Sequence, residues 1–499
     1  MSYAKKLVQG TLLLFLMNIL ASAATYFTRI ILARSLSPAE YGLFYSVFTL
    51  VIFFLFFRDL GQDAALTRYI AKYRVTNNYA YVKTVIISVF SMQLVSSLIL
   101  ISVFYWLTPY LAQYYFKDSR AVLLLYLMLG YVFFSVFYRI LKCTFQGFQK
   151  TFFFSLFDAS KLFLIFILSY IFLKLGWGVS AAAWPYLFSP LIVVLIFYFP
   201  FKKLFPFKEY HITDLSKISK KTFYFGLAVT LTDFGEKVIG YVDTLMLTYY
   251  VSLTEVGVYN VILPTALIIM FLGRSLISVL YPIITEMWSK KEFNKISLSL
   301  FLFNRYSFFL ILPVLLWLFV YAQEFLRIMF GSEYVVGALA LQIVLIGTLF
   351  FMVAMINQCI LSAIGKPKEV TFIILFAALV NFLANLYFIP TFGISGAAFT
   401  TALSYFIAYI LTTWRIKKYF SFILPIKIWL KLLIPTILLY LTLIWSRYTY
   451  LSGHLAYAIL LILLAVGIYI TFSLILKIIE LAEIKKYLLL VGKGKNARI

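Results

Sequence analysis

Two arginines set the first chemical question. Arg58 and Arg274 both lie inside long apolar stretches. Each follows a glycine, Gly42 or Gly257, by sixteen or seventeen residues. The glycines sit in matching segments, Glu40-Tyr41-Gly42-Leu43-Phe44 and Glu255-Val256-Gly257-Val258-Tyr259. At 1.5 Å per residue the interval is roughly 25 Å of helix, so both guanidinium groups are expected at similar depth. Arginine keeps its charge at any accessible pH and presents a planar fork of donors that grips phosphate. Two such groups facing one cavity would bind an anionic headgroup. Arg29 adds a third cation in the first apolar stretch. The plainer alternative is internal neutralisation of Arg58 by Asp59 or Asp63; Arg274 has no acid within four residues.

The acids form a second pattern. Asp233, Glu236, Lys237, Gly240 and Asp243 recur at helical spacing and make one polar stripe. Asp233 and Lys237 are four apart and can pair. The excess negative charge, with Asp59 and Asp63, could hold Na⁺ or a proton as a coupling ion, or act as counter-ion to Arg29 and Arg274. The residues leave both readings open. Asp158 and Lys161, three apart, read as a structural pair. Two histidines and the scattered Cys143 and Cys359 give neither a metal constellation nor a disulfide framework. No phosphate-loop pattern is present, so no cofactor is expected beyond a coupling ion and direct ATP drive is excluded.

The elements that carry these residues follow from composition. Of 499 residues, 64% are hydrophobic and 12% charged, against about 45–50% and about 25% in soluble domains. The apolar runs are ~20 residues or longer, the length of a membrane-spanning helix and not of a barrel strand. They predict an all-α integral membrane protein with about fourteen spans, at 7–33, 41–70, 82–107, 120–145, 152–174, 179–201, 222–250, 255–287, 296–321, 334–364, 370–389, 394–414, 428–446 and 454–477. The net charge of +25 comes from short basic clusters between spans and not from a nucleic-acid-binding surface. Most of the basic residues fall on one side of the alternating loops. That places both termini in the cytoplasm, with Lys5 and Lys6 before an uncleaved first span.

The chain also repeats at about 215 residues. Besides the glycine segments, Gly178-Val179-Ser180-Ala181-Ala182-Ala183 matches Gly393-Ile394-Ser395-Gly396-Ala397-Ala398, and Lys202-Lys203 matches Lys417-Lys418. Cys143 and Lys150 match Cys359 and Lys366 with a one-residue slip. Six spans per repeat predict two parallel six-helix lobes around a central cavity. The expected organisation is a first lobe over 1–203, a linker over 204–221, a second lobe over 222–420, two added helices over 421–477 and a basic tail over 478–499. Charged residues concentrate in spans one, two, seven and eight, which would line the cavity.

Thr28-Arg29-Ile30-Ile31-Leu32-Ala33-Arg34-Ser35-Leu36-Ser37-Pro38-Ala39-Glu40-Tyr41-Gly42, continuing through Arg58-Asp59-Leu60-Gly61 to Ala65-Leu66-Thr67-Arg68-Tyr69, resembles the polysaccharide flippase branch of the multidrug/oligosaccharidyl-lipid/polysaccharide exporter superfamily. The Gly-Ile-Ser-Gly-Ala-Ala stretch looks similar as well. The resemblance implies a non-enzymatic flippase of the cell membrane that moves a polyprenyl-linked oligosaccharide to the outer leaflet by alternating access. It implies a monomer among membrane lipids, alongside polysaccharide polymerase or transferase machinery. Arg29, Arg58 and Arg274 fall in the spans that supply cavity arginines in related lipid II flippases. Ile30 stands where those flippases carry an acid, which favours an O-antigen or exopolysaccharide substrate. The rival readings are a cation-coupled drug exporter of the same superfamily and an integral-membrane glycosyltransferase or polymer ligase.

Overall fold

The computed structural model describes residues 3–420 and 424–479; the side chains of 3–15, 231–233, 271, 272, 275, 276, 278 and 279 lie outside that description. The described chain is helical throughout, with no strand. Its α-helices are α1 (Tyr3–Ser35), α2 (Pro38–Asp59), α3 (Gln62–Val75), α4 (Tyr79–Tyr110), α5 (Ala121–Gly147), α6 (Thr151–Lys174), α7 (Ser180–Leu204), α8 (Leu215–Tyr250), α9 (Leu253–Leu267), α10 (Met270–Ser289), α11 (Phe293–Val320), α12 (Ala322–Met329), α13 (Ala338–Ala363), α14 (Pro367–Lys417), α15 (Ile426–Leu451) and α16 (Leu455–Ile475). Among the described residues, 11 helices are long and apolar enough to cross a membrane. A helix suits that environment because it pairs its backbone groups within itself.

Four expected spans differ from the sequence reading. The stretch 41–70 is broken between α2 and α3, where Leu60 and Gly61 take left-handed φ of 45° and 66°. The stretch 255–287 divides between α9 and α10. The stretches 370–389 and 394–414 run on as α14, with a kink at Gly393 (φ 56°, ψ −132°). A positive φ is strained for any residue with a Cβ, so glycine suits that corner.

The repeat has a backbone counterpart. Left-handed residues recur in pairs about 215 apart: Asn77 and Lys291, Lys117 and Gly331, Gln149 and Gly365, Gly178 and Gly393. The chain therefore turns at the same places in both copies. The entry to each copy is built alike. Ser37 and Glu40 form a capping box on α2, with Ser37 N donating to Glu40 Oε2 (3.1 Å) and Glu40 N to Ser37 Oγ (3.3 Å). Ser252 and Glu255 repeat it on α9 at 3.2 and 3.3 Å. Each box satisfies donors that a helix start leaves open. Arg120 Nη1 also reaches Glu40 Oε1 at 3.0 Å, and its guanidinium bonds to Asp118, holding that loop carboxyl below the usual carboxylate range.

The chain divides into two compact units. The first holds the chain up to Pro264 with Leu326–Ala340 and Ile374–Thr401; the second holds Thr265–Phe325, Leu341–Ile373 and the chain from Ala402. In the first unit, α3, α4, α5 and α8 pack around Leu66, Ile70, Val85, Val89, Ile140 and Ile218. In the second, α15 and α16 pack on α11 through Leu432, Leu439, Leu443 and Tyr469. Arg305 of α11 donates to the carbonyls of Lys477 and Ile478 at 2.7 Å, holding the chain just past α16.

Within the first unit α2 and α9 cross at the repeated glycines. A Cβ on Gly42 would lie 1.8 Å from Leu253 O and 2.8 Å from Gly257 N; one on Gly257 would lie 2.1 Å from Pro38 O. Backbone meets backbone there, and no side chain can yield. Gly42→Ala should therefore lower the unfolding temperature of the purified protein, with a cost of about 1–3 kcal/mol or more. Gly467→Ala, which meets nothing within 4 Å, should not. Equal unfolding temperatures for the two variants would contradict this reading of the crossing.

Candidate functional site

The break after α2 brings four charged groups together in the first unit. Arg58 ends α2 and is 4% exposed. Asp59 follows it, Asp63 starts α3, and Arg139 approaches from α5. Arg139 Nε lies 2.8 Å from Asp63 Oδ2 and its Nη1 3.6 Å from Asp59 Oδ1. Gln93 of α4 donates to both carboxylates at 2.9 Å. The two acids thus serve Arg139. Arg58 makes one side-chain hydrogen bond, Nη2 to Ser135 Oγ at 3.3 Å, while its buried Nε and Nη1 have no partner. Arg58 makes no direct ion pair with Asp59 or Asp63 among the described residues, although both carboxylates lie near enough to act on its charge. The corner itself is locked by close packing: a Cβ on Gly61 would lie 2.2 Å from Gly226 O of α8. Non-helical backbone at membrane depth is tolerated only where protein or a cavity covers it.

Arg29 is held differently. Its Nη1 donates to Asn260 O at 2.9 Å, and its guanidinium carbon lies 4.3 Å from the Tyr45 ring centre. Tyr45 packs on Tyr41 with centroids 4.5 Å apart. A ring face attracts a cation without neutralising it. No carboxylate pairs with Arg29 among the described residues.

Asp243 is the converse case, an acid without a cation among its named partners. It sits in α8 and is 1% exposed. Tyr259 OH of α9 donates to Oδ2 at 2.6 Å, Asn385 Nδ2 of α14 donates to Oδ1 at 2.7 Å, and Thr401 Oγ1 also donates to Oδ2. Asn385 in turn receives Thr400 Oγ1 and donates to Asn381 Oδ1 at 3.3 Å, and Asn381 itself faces the Asp243 carboxylate. The side chains form a buried nest of carboxylate, amide and hydroxyl groups whose oxygens suit a hard cation or a proton.

Arg274 is exposed on α10 in the second unit, with no ion pair among the described residues. Glu236 is exposed on α8, and the side chain of Asp233 lies outside the described residues. Asp158 makes its short ion pair with Lys142 (2.5 Å) and accepts from Tyr138 OH (2.6 Å), while Lys161, the partner expected from sequence, acts on its charge at longer range. Lys161 lies 4.8 Å from the Tyr138 ring centre. Sequence reading overlooked Arg139 as the partner of Asp59 and Asp63. It also passed over Asn381 and Asn385. Their four-residue spacing in an apolar run was a usable signal, hidden because only ionisable groups were weighed.

Comparison with known proteins gives consistent relatives. Residues 7–288 match the family described as polysaccharide biosynthesis protein, and residues 228–387 match the MatE family. An uncharacterized membrane protein of Methanocaldococcus jannaschii is 30% identical over 84% of this chain and 85% of its own length. A Shigella flexneri protein named "Putative O-antigen transporter" is 30% identical over 40% of this chain and 47% of its own. "Probable low-salt glycan biosynthesis flippase Agl15" of Haloferax volcanii is 23% identical over 41% and 43%. In fold, the chain is similar to an inward closed lipid II flippase MurJ (TM-score 0.75, 16% identity, 93% of this chain and 98% of that one). It is also similar to an inward-facing multidrug resistance MATE family transporter (TM-score 0.66, 16% identity, 80% and 95%).

The division of charge around α2 is testable by stability alone. Arg139→Gln should destabilise the purified protein by about 3–5 kcal/mol, because it strands two buried carboxylates. Arg58→Met should cost clearly less than Arg139→Gln, since Arg58 makes no direct ion pair and acts on the two acids only at longer range. Equal losses from both substitutions would mean that Arg58 shares the ion pair.

Proposed function

We propose, from the premise that the chain belongs to the polysaccharide biosynthesis protein family, that it is a flippase for a polyprenyl-(pyro)phosphate-linked oligosaccharide. It is a multi-pass membrane transporter and not an enzyme. The substrate moves from the cytoplasmic to the outer leaflet by alternating access, for cell-surface glycan assembly. The protein resides in the cell membrane; the cytoplasmic placement of both termini rests on the basic bias of the loops, and the monomeric state on the family resemblance alone.

The observation that carries this reading is Arg58. A buried cation with two unpartnered N–H groups is costly in a membrane protein unless an anion visits it. A phosphate at the junction of sugar and lipid supplies that anion, and guanidinium grips it with several donors. Arg29, held on a ring and a carbonyl, keeps its charge available for the same headgroup. Arg274 joins the assignment on its repeat register and its lack of an ion pair among the described residues.

Asp243 supports a coupling role. A buried carboxylate held by neutral hydroxyls and an amide gains a countercharge when Na⁺ or a proton enters. Asp243, Asn381, Asn385, Thr400 and Thr401 would hold such an ion. Asp59 and Asp63 act as counter-ions to Arg139. The second reading, a cation-coupled multidrug exporter, draws on the same Asp243 nest and on the MatE match. The unpaired arginines speak against it, since they would repel cationic drugs.

The test is flipping of a fluorescent lipid-linked oligosaccharide by the purified protein in vesicles. Arg58→Ala and Arg274→Ala should each slow it at least tenfold, the scale of one lost charge-assisted contact of roughly 1.5–3 kcal/mol, without lowering reconstitution. Arg274→Lys should retain part of the rate, because lysine keeps charge but not the fork. Normal flipping by both alanine variants would end the anion-site reading.

A further inference from the structure

A second basic site lies away from the charges already described. A cavity of about 550 Å³ is lined by Arg74, Tyr79, Phe148, Lys150, Leu204, Phe205, Pro206 and Tyr210. All belong to the first unit. Arg74 ends α3, Tyr79 starts α4, Phe148 and Lys150 turn from α5 to α6, and the remainder close α7 and open the linker to α8. A volume of that size is ordinary for a small-ligand pocket.

The walls are fixed before any ligand arrives. Phe205 stacks on Tyr210 at 5.3 Å and 14°, and Tyr210 stacks on Tyr79 at 5.5 Å and 29°. The linker is stitched to α4: Lys83 Nζ donates to Tyr210 O at 2.7 Å, Tyr81 OH to Asp214 Oδ2 at 2.6 Å, and Thr213 N to Thr84 Oγ1 at 3.0 Å. Arg74 Nη1 donates to Phe148 O, which orients the guanidinium and leaves its other donors without a partner among the described residues. Lys150 is exposed and has no partner among them. The pocket lining contains two cations and no acid; Glu209 in the linker is exposed and does not line it.

The second repeat supplies an internal control. In the register set by Asn77 and Lys291, Arg74 corresponds to Trp288 and Tyr79 to Phe293; in that of Gln149 and Gly365, Lys150 corresponds to Lys366; and in that of Lys203 and Lys418, Phe205 corresponds to Phe420. There the tryptophan packs on Phe293 (5.2 Å) and Phe420 (6.0 Å). Lys366 lies 5.5 Å from the ring of Tyr419, which bonds Glu369. One copy of the same corner is thus filled by a ring with an acid at hand. The other holds a guanidinium beside an open cavity. A purely structural corner does not need that exchange.

We infer that this cavity binds a phosphate-bearing anion at the cytoplasmic end of the first unit, with Arg74 and Lys150 holding the phosphate and Tyr79 and Tyr210 flanking it. The anion comes either from an acidic phospholipid headgroup of the adjoining leaflet or from a free phosphate compound. Basic pockets between helices on the cytoplasmic side take acidic lipid headgroups. The site is separate from the transport arginines. α3 links the two, carrying Asp63 at one end and Arg74 at the other.

Native mass spectrometry of the delipidated full-length protein tests this directly. Phosphatidylglycerol should bind more tightly than phosphatidylcholine by about tenfold, the scale of one charge-assisted contact. Lys150→Ala, an exposed change, should weaken phosphatidylglycerol binding by about the same factor. Arg74→Trp, which installs the second repeat's residue, should remove the tight class of bound lipid. Displacement by inorganic phosphate assigns the site to the phosphate group from either source; tight binding that phosphate does not displace assigns it to the lipid. Equal binding of the two lipids by the wild type, or unchanged binding in both variants, overturns the inference.

Discussion

A charge in hydrocarbon must be balanced by the protein itself, and Arg139 decides how that balance is struck. By holding Asp63 at 2.8 Å and Asp59 at 3.6 Å, it takes both acids that adjoin Arg58. Gln93 donates to both acids, so their short contacts go to Arg139 and Gln93. Arg58 is left buried near the acids, with two of its guanidinium nitrogens short of hydrogen-bond partners. The arrangement depends on the break after α2, which turns Asp63 back toward α5. The break depends on Gly226, whose missing side chain lets Leu60 and Gly61 close against α8. A backbone corner, an ion pair and an open cation are therefore one linked construction.

Asp243 gives the same physics with the sign reversed. Hydroxyls and an amide stabilise the carboxylate without cancelling its charge, which is the basis of the proposed coupling-ion site. The proposed anion site and the proposed cation site together would suit coupled movement of an anionic substrate. The repeat supplies the scaffold for both. Matching left-handed turns recur through the two copies, while individual side chains diverge at them. Arg74 against Trp288 shows that divergence most clearly.

Much of this was legible in the sequence. Apolar run length identified a helical membrane protein, because hydrocarbon thickness fixes the number of residues per span. The glycine segments marked the repeat, and they also mark the contact of α2 with α9, where only glycine fits. The break at Leu60-Gly61 was less legible, since apolarity continues through it and only backbone packing reveals it. Partner choice was the main thing hidden. Asp59 and Asp63 neighbour Arg58 in sequence, yet the fold gives them to Arg139, nearly eighty residues away. Asp158 likewise takes its short contact from Lys142, with Lys161 acting at longer range. The nest around Asp243 escaped notice because its members are amides and hydroxyls that carry no charge to count.

The central claim is that the buried cation at Arg58 exists to receive a phosphate-bearing substrate. Calorimetric titration of the purified protein with a short-chain prenyl pyrophosphate sugar, and with the matching prenyl sugar lacking phosphate, addresses it without any transport assay. The account predicts at least tenfold tighter binding of the charged compound, a preference lost when Arg58 is replaced by methionine. Equal affinity for the charged and uncharged compounds, or a preference that survives loss of Arg58, would contradict it.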